Sequence, residues 1–328
     1  MTAFSILDLC PIVEGGDASQ ALTQTRQMAE TAEQAGFTRF WLAEHHGMAG
    51  IASAATALVI AEAGHATSTI RIGSGGIMLP NHSPLVIAEQ FGTLEALFPG
   101  RVDLGLGRAP GTDVATARAL RRNLEAGANS FPDDIVELQH LLGEPGGHPL
   151  TAVPGAGSNV PIWILGSSLY SAHLAAALGL PYAFASHFAP DLLGEALAIY
   201  RDRFTPSAQL EAPYVMAAVM GVMADTDDEA AFLYTTLQQT FVNMRRNARG
   251  KMPRPVESMD GVWSEMEKIA VEHTLCYAVV GGPDTATARM RDFIAETGAD
   301  EIIISMPIHA IGARLKSVQL FGRMRESL

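Results

Sequence analysis

Apolar runs of strand length alternate with helix-length segments along most of this 328-residue chain. Three of the helical segments end at a glycine, and an apolar run follows each of them within a few residues. The three junctions are Gly36 before residues 37–43, Gly179 before residues 180–185, and Gly298 before residues 302–305. Glycine readily adopts the left-handed backbone conformation that closes a helix. Repeated short helix-to-strand connections of this kind indicate βαβ units, which form a parallel sheet.

The same pattern predicts nine strands, whereas a (β/α)8 barrel has eight. The predicted strands are residues 5–9, 37–45, 70–78, 102–107, 162–165, 182–186, 214–223, 275–280 and 301–305. The predicted helices include residues 17–36, 52–63, 84–98, 132–142, 169–178, 192–204 and 227–246. One of the nine strands is therefore an insertion or a strand extension. The sequence leaves open whether residues 214–223 or residues 275–280 supply the seventh barrel strand.

These elements predict an α/β fold, a (β/α)8 TIM barrel with insertions, in a single domain over residues 1–328. Eight units average about 41 residues each over this length, against roughly 31 in a minimal barrel of about 250 residues. No linker with a shift in composition divides the chain. The surplus falls in loops, and the segment 247–261, rich in Pro, Gly and charge, is either a lid or insertion over the site or an ordinary flexible loop.

Composition narrows the class of protein. The chain has 22 Lys and Arg against 35 Asp and Glu, a net charge of −13, and 48% hydrophobic residues. Such an acidic chain lacks the basic stripe of a nucleic-acid binder, and its hydrophobicity excludes a disordered protein. Residues 145–190 carry no Asp, Glu, Lys or Arg, but four prolines interrupt them, so they do not form a membrane-spanning helix. With no recognisable signal peptide and two cysteines, the expected compartment is the cytoplasm.

Two glycine clusters stand at predicted carboxyl ends of strands, which form the catalytic face of a barrel. They are residues 73–78 (GSGGIM) and 105–110 (GLGRAP). Neither is a dinucleotide-binding fingerprint, because Met78 and Pro110 stand where the third glycine is required. The glycines either let a flat group approach the backbone or allow tight packing inside the barrel.

Glu44, His45 and His46 end the second predicted strand. Neighbouring strand residues point to opposite faces, so one imidazole of the pair faces the site. It is either an acid-base or hydrogen-bonding group at the barrel mouth or a structural cap. No metal site is predicted, because neither an H-E-x-x-H motif nor a Cys/His spacing accompanies the pair.

Two further features at strand ends suit an anion. Arg108 follows the fourth predicted strand and can bind a phosphate or carboxylate, or instead pair with Asp103 or Asp113. Residues 166–171 follow the fifth strand and open a helix, with glycine first and three serines after it. Backbone N–H groups and hydroxyls at a helix N-terminus bind anions, although a serine there is also an ordinary helix cap.

Four motifs in this order resemble the bacterial luciferase-like flavin-dependent monooxygenases, or LLM class oxidoreductases. They are AEHHG, GSGGIMLPNHSP, GRVDLGLGRAPGTD, and the Gly-Ser-Ser helix start followed by AAALGLP. The resemblance covers about the first 190 residues and continues more weakly through VVGGPDT and GADEIII. It implies a (β/α)8 barrel that binds FMN at the carboxyl-end mouth.

The resemblance also implies roles for individual residues. His45 matches the catalytic histidine near the flavin, and Gly75 and Gly76 match a pair joined by a cis peptide beneath the flavin ring. Arg108 and residues 166–171 match the phosphate-binding positions, so the implied cofactor-binding residues are Gly75, Gly76, Arg108, Gly166, Ser167, Ser168 and Ser171. The chain departs from luciferase itself at Gly107, where luciferase has a reactive cysteine, and at Ser167, where it has an acidic residue. Light emission is therefore not implied.

The implied activity is a monooxygenase that uses reduced FMN and O2 to oxygenate a small organic substrate through a flavin C4a-peroxide. The alternatives are an F420-dependent hydride-transfer enzyme of the same fold and a non-catalytic flavin-binding protein. His82, His187, Phe188 and residues 247–261 are candidates for lining the substrate pocket. The expected partners are the substrate, O2, a second copy of the chain and, unless NAD(P)H supplies the electrons directly, a flavin reductase. Neither nucleic acid nor a membrane is expected.

Overall fold

The computed structural model describes residues 2–109, 114–120, 129–146 and 149–328. Its strands in chain order are β1 (Ala3–Asp8), β2 (Arg39–Leu42), β3 (Arg71–Met78), β4 (Val102–Gly107), β5 (Ile162–Gly166), β6 (Tyr182–Phe184), β7 (Val215–Met223), β8 (Val279–Gly281) and β9 (Glu301–Ser305). Its helices over the same ranges are α1 (Ala18–Gln34), α2 (Thr56–Ala66), α3 (Pro84–Leu97), α4 (Val114–Leu120), α5 (Phe131–Leu142), α6 (Leu169–Leu178), α7 (Leu193–Arg203), α8 (Asp227–Arg245), α9 (Glu265–Thr274), α10 (Pro283–Thr297) and α11 (Ile311–Arg325).

Eight parallel strands close into a barrel, and helices cover its outside. Strands β1 to β7 pair in sequence, and β9 lies between β7 and β1. In the described part of the chain, β8 pairs only with Gly221–Met223 at the end of β7, past the residues of β7 that pair with β9. The predicted (β/α)8 barrel is confirmed: β7 is the seventh barrel strand, and β8 extends it outside the barrel.

The three glycine junctions that predicted the parallel sheet have the expected backbone conformation. Gly36, Gly179 and Gly298 have φ values of +77°, +62° and +55°. Each lies one or two residues beyond the end of its helix, α1, α6 or α10. A side chain at these φ values strains the backbone, which explains why glycine stands at all three junctions.

Two predicted boundaries near the second strand differ from the structure. Strand β2 ends at Leu42, three residues before the predicted end, and helix α2 begins at Thr56, four residues after the predicted start. The Ser53 hydroxyl donates to the carbonyl oxygens of Ala43 at 2.6 Å and Leu9 at 3.1 Å. These bonds hold residue 53 against the ends of β1 and β2, so the chain stays in a loop until Thr56.

Alternating residues of the strands separate two apolar layers. The outward-facing residues, such as Phe40, Ile72 and Leu104, are buried under the helices in the main core. The inward-facing residues form a second cluster centred on Trp41 and Trp163, whose rings meet edge to face at 5.1 Å. This cluster fills the barrel, so a ligand can enter only at an end.

The amino ends of the strands enclose an ionic cluster. Arg39 donates to Asp103 at 2.7 Å and to both oxygens of Glu301 at 3.1 Å, and neither carboxylate side chain is exposed. The other donors to the two carboxylates are Ser5, Trp41, Arg71 and Tyr214. Residues at this end of a barrel serve stability, whereas those at the carboxyl end form the site.

The candidate lid, residues 247–261, lies at the carboxyl-end face beside the loop that follows β1. The backbone of Met252 exchanges hydrogen bonds with Ile12 and Glu14, each at 2.9 Å, and the Lys251 ammonium donates to the carbonyl oxygen of Gly16 at 2.7 Å. On the other side, the Gln239 amide of α8 donates to Arg254. The segment is thus attached to two elements, and its role as a lid stays a prediction.

Across the described ranges, none of the helices combines the length and the apolar character that crossing a membrane requires.

The ionic cluster gives a test of the fold. We expect Asp103→Asn to lower the free energy of unfolding by about 3 kcal/mol or more, because it removes one partner of a buried ion pair. The matched control is Glu62→Gln, whose pair with Arg26 is about half exposed and contributes less than about 1 kcal/mol. Urea unfolding followed by tryptophan fluorescence measures both, and equal losses would show that the buried cluster does not stabilise the barrel.

Candidate functional site

The predicted site residues all lie at the carboxyl-end face of the barrel. His45 follows β2 by three residues, Gly75 and Gly76 lie in β3, Arg108 directly follows β4, and Gly166 ends β5. Ser167 and Ser168 connect β5 to α6. Neighbouring parallel strands end side by side, so residues scattered over more than 120 positions of the sequence meet around one mouth.

Arg108 lies against the beginning of α6. Its guanidinium carbon is 4.4 Å from the centre of the Tyr170 ring, in the first turn of that helix. Among the described residues Arg108 has no carboxylate partner, and its side chain is exposed. The alternative pairing with Asp103 does not occur, because Asp103 binds Arg39 and Arg71. Asp113, the other candidate, lies outside the described residues.

The first residues of α6 carry further groups that suit an anion. Ser168 is the N-cap residue and has extended backbone angles, and its hydroxyl makes no capping bond to the helix. The first backbone N–H groups of a helix have no acceptor within the helix, and with the helix dipole they favour a negative charge at its N-terminus. The hydroxyl of Ser168, the N-terminus of α6 and the guanidinium of Arg108 together can bind a phosphate-sized group.

Ser171 occupies a more interior position than the sequence suggests. Its hydroxyl donates to the carbonyl oxygen of Ser168 at 2.7 Å and lies 3.0 Å from the Tyr182 hydroxyl. A side-chain carbon on Gly166 would overlap this hydroxyl. Glycine at position 166 therefore allows β5 and the first turn of α6 to pack closely. A phosphate contact by Ser171 would have to share a hydroxyl that already hydrogen-bonds within the first turn of the helix.

Gly75 and Gly76 are joined by a cis peptide bond, as the resemblance implies. A side-chain carbon on Gly75 would lie 2.7 Å from Leu7 Cδ1, and one on Gly76 would lie 2.6 Å from the carbonyl oxygen of Gly105. Gly76 thus has no room for a side chain against the backbone of β4, whereas a side chain at Gly75 would require the Leu7 side chain to move, whatever binds at the mouth. The contact of the pair with a flavin ring stays a prediction.

Glu44 is buried at the mouth with four hydrogen-bonding partners, and no sequence pattern assigns it a role. Its carboxylate is about 1% exposed and lies 2.7 Å from His46 Nε2 and 2.9 Å from His82 Nε2. It also accepts from the Met78 backbone N–H at 3.0 Å and from the Asn81 amide at 3.2 Å. Burial by itself would raise the pKa of Glu44, but the bonds from His82, Met78 and His46 hold it below its ordinary value. The carboxylate thereby links the end of β2 to the loop after β3.

Glu44, His46 and His82 also have the composition of a two-histidine, one-carboxylate metal site. Their ligand atoms lie within 4.8 Å of one another. Sequence spacing could not reveal this group, because His82 comes from a different loop. The contacts have hydrogen-bond lengths and the carboxylate has four donors, which is a complete set without a metal. The expectation of no metal site stays a prediction.

His45 is half-buried at the mouth, and His187 lies near it. The two imidazoles are close enough for charge on His45 to affect the titration of His187. His187 follows β6, so strands on opposite sides of the barrel contribute the two side chains. His187, a candidate for lining the substrate pocket, thus lies at the mouth near the candidate catalytic histidine.

The hydrogen bonds of Glu44 give a second test. We expect Glu44→Gln to lower the free energy of unfolding at pH 7 by about 1 to 3 kcal/mol, because an amide nitrogen cannot accept a hydrogen bond. The pKa of Glu44 is depressed, so this contribution is complete above the ordinary value of 4.5 and is lost as the pH falls through the lower folded value.

Urea unfolding at pH 7 and at successively lower pH measures this loss. Asp191→Asn is the control, because its pair with His273 is about two-thirds exposed and contributes less than about 1 kcal/mol. A Glu44→Gln loss no larger than that of the control would contradict a stabilising role for the carboxylate.

Known proteins resemble this chain in both sequence and fold. The chain matches the family model described as luciferase-like monooxygenase over residues 2–301. A luciferase-like monooxygenase of Escherichia coli strain K12 is 50% identical over 328 residues, covering 99% of this chain and 98% of that protein. The N-acetyl-S-alkylcysteine monooxygenase of Bacillus subtilis strain 168 is 36% identical over 228 residues, covering 66% of this chain and 68% of that protein.

Solved structures agree with this match. Apo-MsnO8 has a TM-score of 0.89 at 32% identity and covers 99% of both chains. Two more distant structures share the fold. The oxygenating constituent of 3,6-diketocamphane monooxygenase from Pseudomonas putida, in complex with FMN, has a TM-score of 0.72 at 18% identity and covers 98% of this chain and 97% of that one. An F420-dependent secondary alcohol dehydrogenase has a TM-score of 0.70 at 13% identity and covers 97% of each chain. Because the family model covers most of the chain and a relative of the same description is 50% identical over its full length, the chain belongs to the luciferase-like monooxygenase family.

Proposed function

We propose that this protein is an FMN-dependent monooxygenase that uses O2 and reduced FMN to oxygenate a small organic substrate. The observation that carries the proposal is the arrangement at the mouth, where Arg108 lies against Tyr170 in the first turn of α6 and the N-cap hydroxyl of Ser168 makes no capping bond. FMN ends in a phosphate, and this site offers that group a cation, a hydroxyl and a helix N-terminus. Family membership supplies the oxidoreductase class, and this geometry supports the choice of cofactor.

The residues at the mouth fit FMN in chemistry and in order around the barrel. Arg108, Ser167, Ser168 and the backbone from Gly166 onward would hold the phosphate. Gly75 and Gly76 carry no side chain, and the family resemblance would place the flavin ring against their backbone. Ser171 would contribute only through a shared hydroxyl, for the reason given above. When bound in its reduced form, FMN supplies the reaction with O2, and the protein supplies position, orientation and protons.

His45 is the residue we assign to proton transfer. Its imidazole stands at the mouth, half-buried, next to the hydrogen-bonded group around Glu44. A histidine titrates near neutral pH and can donate or accept a proton at a ring nitrogen. The filled barrel below the mouth keeps water away from one side of the reacting group.

Relatives support oxygenation over hydride transfer. The relative that acts on N-acetyl-S-alkylcysteine is a monooxygenase at 36% identity, whereas the F420-dependent neighbour is only 13% identical. F420 carries an extended anionic tail, and this chain has a net charge of −13. We therefore favour FMN.

The decisive experiment supplies reduced FMN and O2 to the purified protein with a panel of thioethers, ketones, aldehydes, sulfonates and aromatics. We expect one class to give an oxygenated product and to lower the release of hydrogen peroxide relative to the reaction without substrate. Reduced F420 with matching ketones is the parallel arm. Turnover with F420 alone would overturn the proposal, and flavin binding with no turnover on any class would favour a non-catalytic flavin-binding protein.

The phosphate site gives a sharper prediction. We expect Arg108→Ala to weaken FMN binding by about 10-fold to 100-fold, because hydrogen bonds to charged groups contribute roughly 1.5 to 3 kcal/mol. Riboflavin lacks the phosphate and is the matched control, so its affinity should change by less than about threefold. Quenching of flavin fluorescence measures both affinities. Equal losses for FMN and riboflavin would place Arg108 away from the phosphate.

We also propose that the protein is a cytoplasmic homodimer. Exposed apolar side chains on α2 and α3 suit a self-associating surface, with Leu58 74%, Leu97 53% and Val86 44% exposed. Light scattering of the purified protein tests this, and a monomeric mass would refute it.

A separate flavin reductase is a required partner unless the protein oxidises NAD(P)H itself. Assays with and without an added reductase distinguish these two cases.

A further inference from the structure

His187 occupies a turn that is fixed to the candidate phosphate site. After β6 ends at Phe184, the backbone N–H of Ala185 donates to the carbonyl oxygen of Gly166 at 2.9 Å. The N–H groups of Phe188 and Ala189 then donate back to the carbonyl oxygen of Ala185, which closes the turn. His187 is therefore held at the mouth by the same segment that begins the anion site.

The imidazole of His187 lacks a hydrogen-bond partner that its burial demands. The side chain is only 9% exposed, and within the described residues its Nδ1 is buried and makes no hydrogen bond. Buried polar atoms are almost always paired, and an unpaired one costs stability, so it needs an explanation. Burial and then the proximity of His45 lower the pKa of His187 to about 3. The imidazole is therefore uncharged at neutral pH.

Two buried carboxylates on this face are satisfied within the protein. Asp8, at the end of β1, accepts from Arg314 at 2.6 Å, from Thr25 at 2.8 Å and from the backbone of Cys10. Glu44 has the four donors described above. His187 differs from both, since its Nδ1 stays unpaired. At the mouth of an enzyme, a buried residue that lowers the free energy of unfolding is a candidate for binding a ligand.

An accessible aromatic ring lies beside His187. The two rings meet edge to face with centroids 4.6 Å apart, and Phe188 is 48% exposed although it is apolar. The pair combines one uncharged hydrogen-bonding atom, which is buried in this structure, with one accessible apolar surface. Depending on its tautomer, Nδ1 donates or accepts, so it can match a hydroxyl, a carbonyl, an amide or a sulfoxide.

We propose that His187 is a specificity-determining residue whose Nδ1 hydrogen-bonds an uncharged polar group of the organic substrate, while the apolar part of that substrate lies against Phe188. The proposal rests on the proposed function, because it assumes that the mouth binds a substrate beside the flavin. The proposal favours a substrate that places a neutral group near His187, because a buried neutral imidazole does little to offset the cost of burying a charged group. The flavin ring also has uncharged polar edges, and the test separates the two partners.

Three variants at this position separate hydrogen bonding from shape. His187→Phe keeps a ring of similar volume but has no nitrogen, His187→Asn places an amide near the position of Nδ1, and His187→Gln places one near Nε2. The probes are benzaldehyde, toluene and benzoate, which share one ring and carry an uncharged polar group, none, and a charged group. Dissociation constants for the FMN-loaded protein are measured by NMR titration, and those for FMN alone by fluorescence.

We expect the wild-type protein to bind benzaldehyde about fivefold more tightly than toluene, as one net hydrogen bond allows, and more tightly than benzoate. His187→Phe and His187→Gln should abolish the preference over toluene, and His187→Asn should retain part of it. FMN affinity should stay within twofold in all three variants. Thermal unfolding of His187→Phe should be unchanged or higher in temperature, because the variant removes an unpaired buried atom, whereas a merely structural histidine would give a loss.

Three results would overturn the proposal: a wild-type protein without preference among the probes, a preference that survives in His187→Phe, or a large loss of FMN affinity in that variant without an effect on benzaldehyde. The last would assign Nδ1 to the flavin. Binding requires no turnover, so a protein that shows the expected preference and yet consumes no O2 with reduced FMN contradicts the proposed function alone. A protein that oxygenates substrates but binds the probes indifferently contradicts only the role of His187.

Discussion

Arg39 brings a permanent positive charge into the closed end of the barrel, and Asp103 and Glu301 neutralise it there. The three residues belong to β2, β4 and β9, so the ion pairs connect strands that are not neighbours in the sheet. Charges without partners are very unfavourable in such a place, so the cluster excludes arrangements in which any one of these strands is shifted in register. The apolar cluster around Trp41 and Trp163 packs directly above these ion pairs, and the mouth lies above that cluster.

The mouth itself combines two kinds of polar residue. Four groups bond to the Glu44 carboxylate, and these bonds tie the end of β2 to the loop after β3. Arg108, the Ser168 hydroxyl and the Nδ1 atom of His187 have polar capacity that the described part of the protein does not use. A rigid, satisfied group next to unsatisfied ones is what a binding site requires, because the first holds the geometry and the second meets the ligand.

The sequence predicts much of this architecture because local chemistry decides it. The left-handed glycines at residues 36, 179 and 298 and the apolar runs after them are sufficient to predict a parallel sheet. The order of motifs also indicates where His45, Arg108 and the start of α6 meet. Other features depend on tertiary contacts. The Ser53 hydroxyl bonds to the chain just after β1 and β2, so α2 begins later than predicted. Strand β8 pairs with the last residues of β7, beyond the part of β7 that belongs to the barrel.

The role of Glu44 illustrates the same limit at the site. The residue stands next to His45 in the sequence, yet its importance comes from His82, which is 38 positions away and reaches it only when β2 and β3 pair. A glutamate directly before two histidines at a strand end is a weak signal on its own. Spacing rules for metal sites also miss this group for the same reason, since its members come from two loops.

The pairing of β1 with β9 has a consequence for how the protein is made. Ala3 lies opposite Glu301, so β1 pairs on one side with a strand that is synthesised about 300 residues later. Until then β1 exposes an unpaired edge, and Arg39 lacks one of its two carboxylates. Contacts of such long sequence separation form late and leave intermediates open to association with other chains. The barrel therefore cannot close until β9 has been synthesised, because β9 pairs with both β1 and β7.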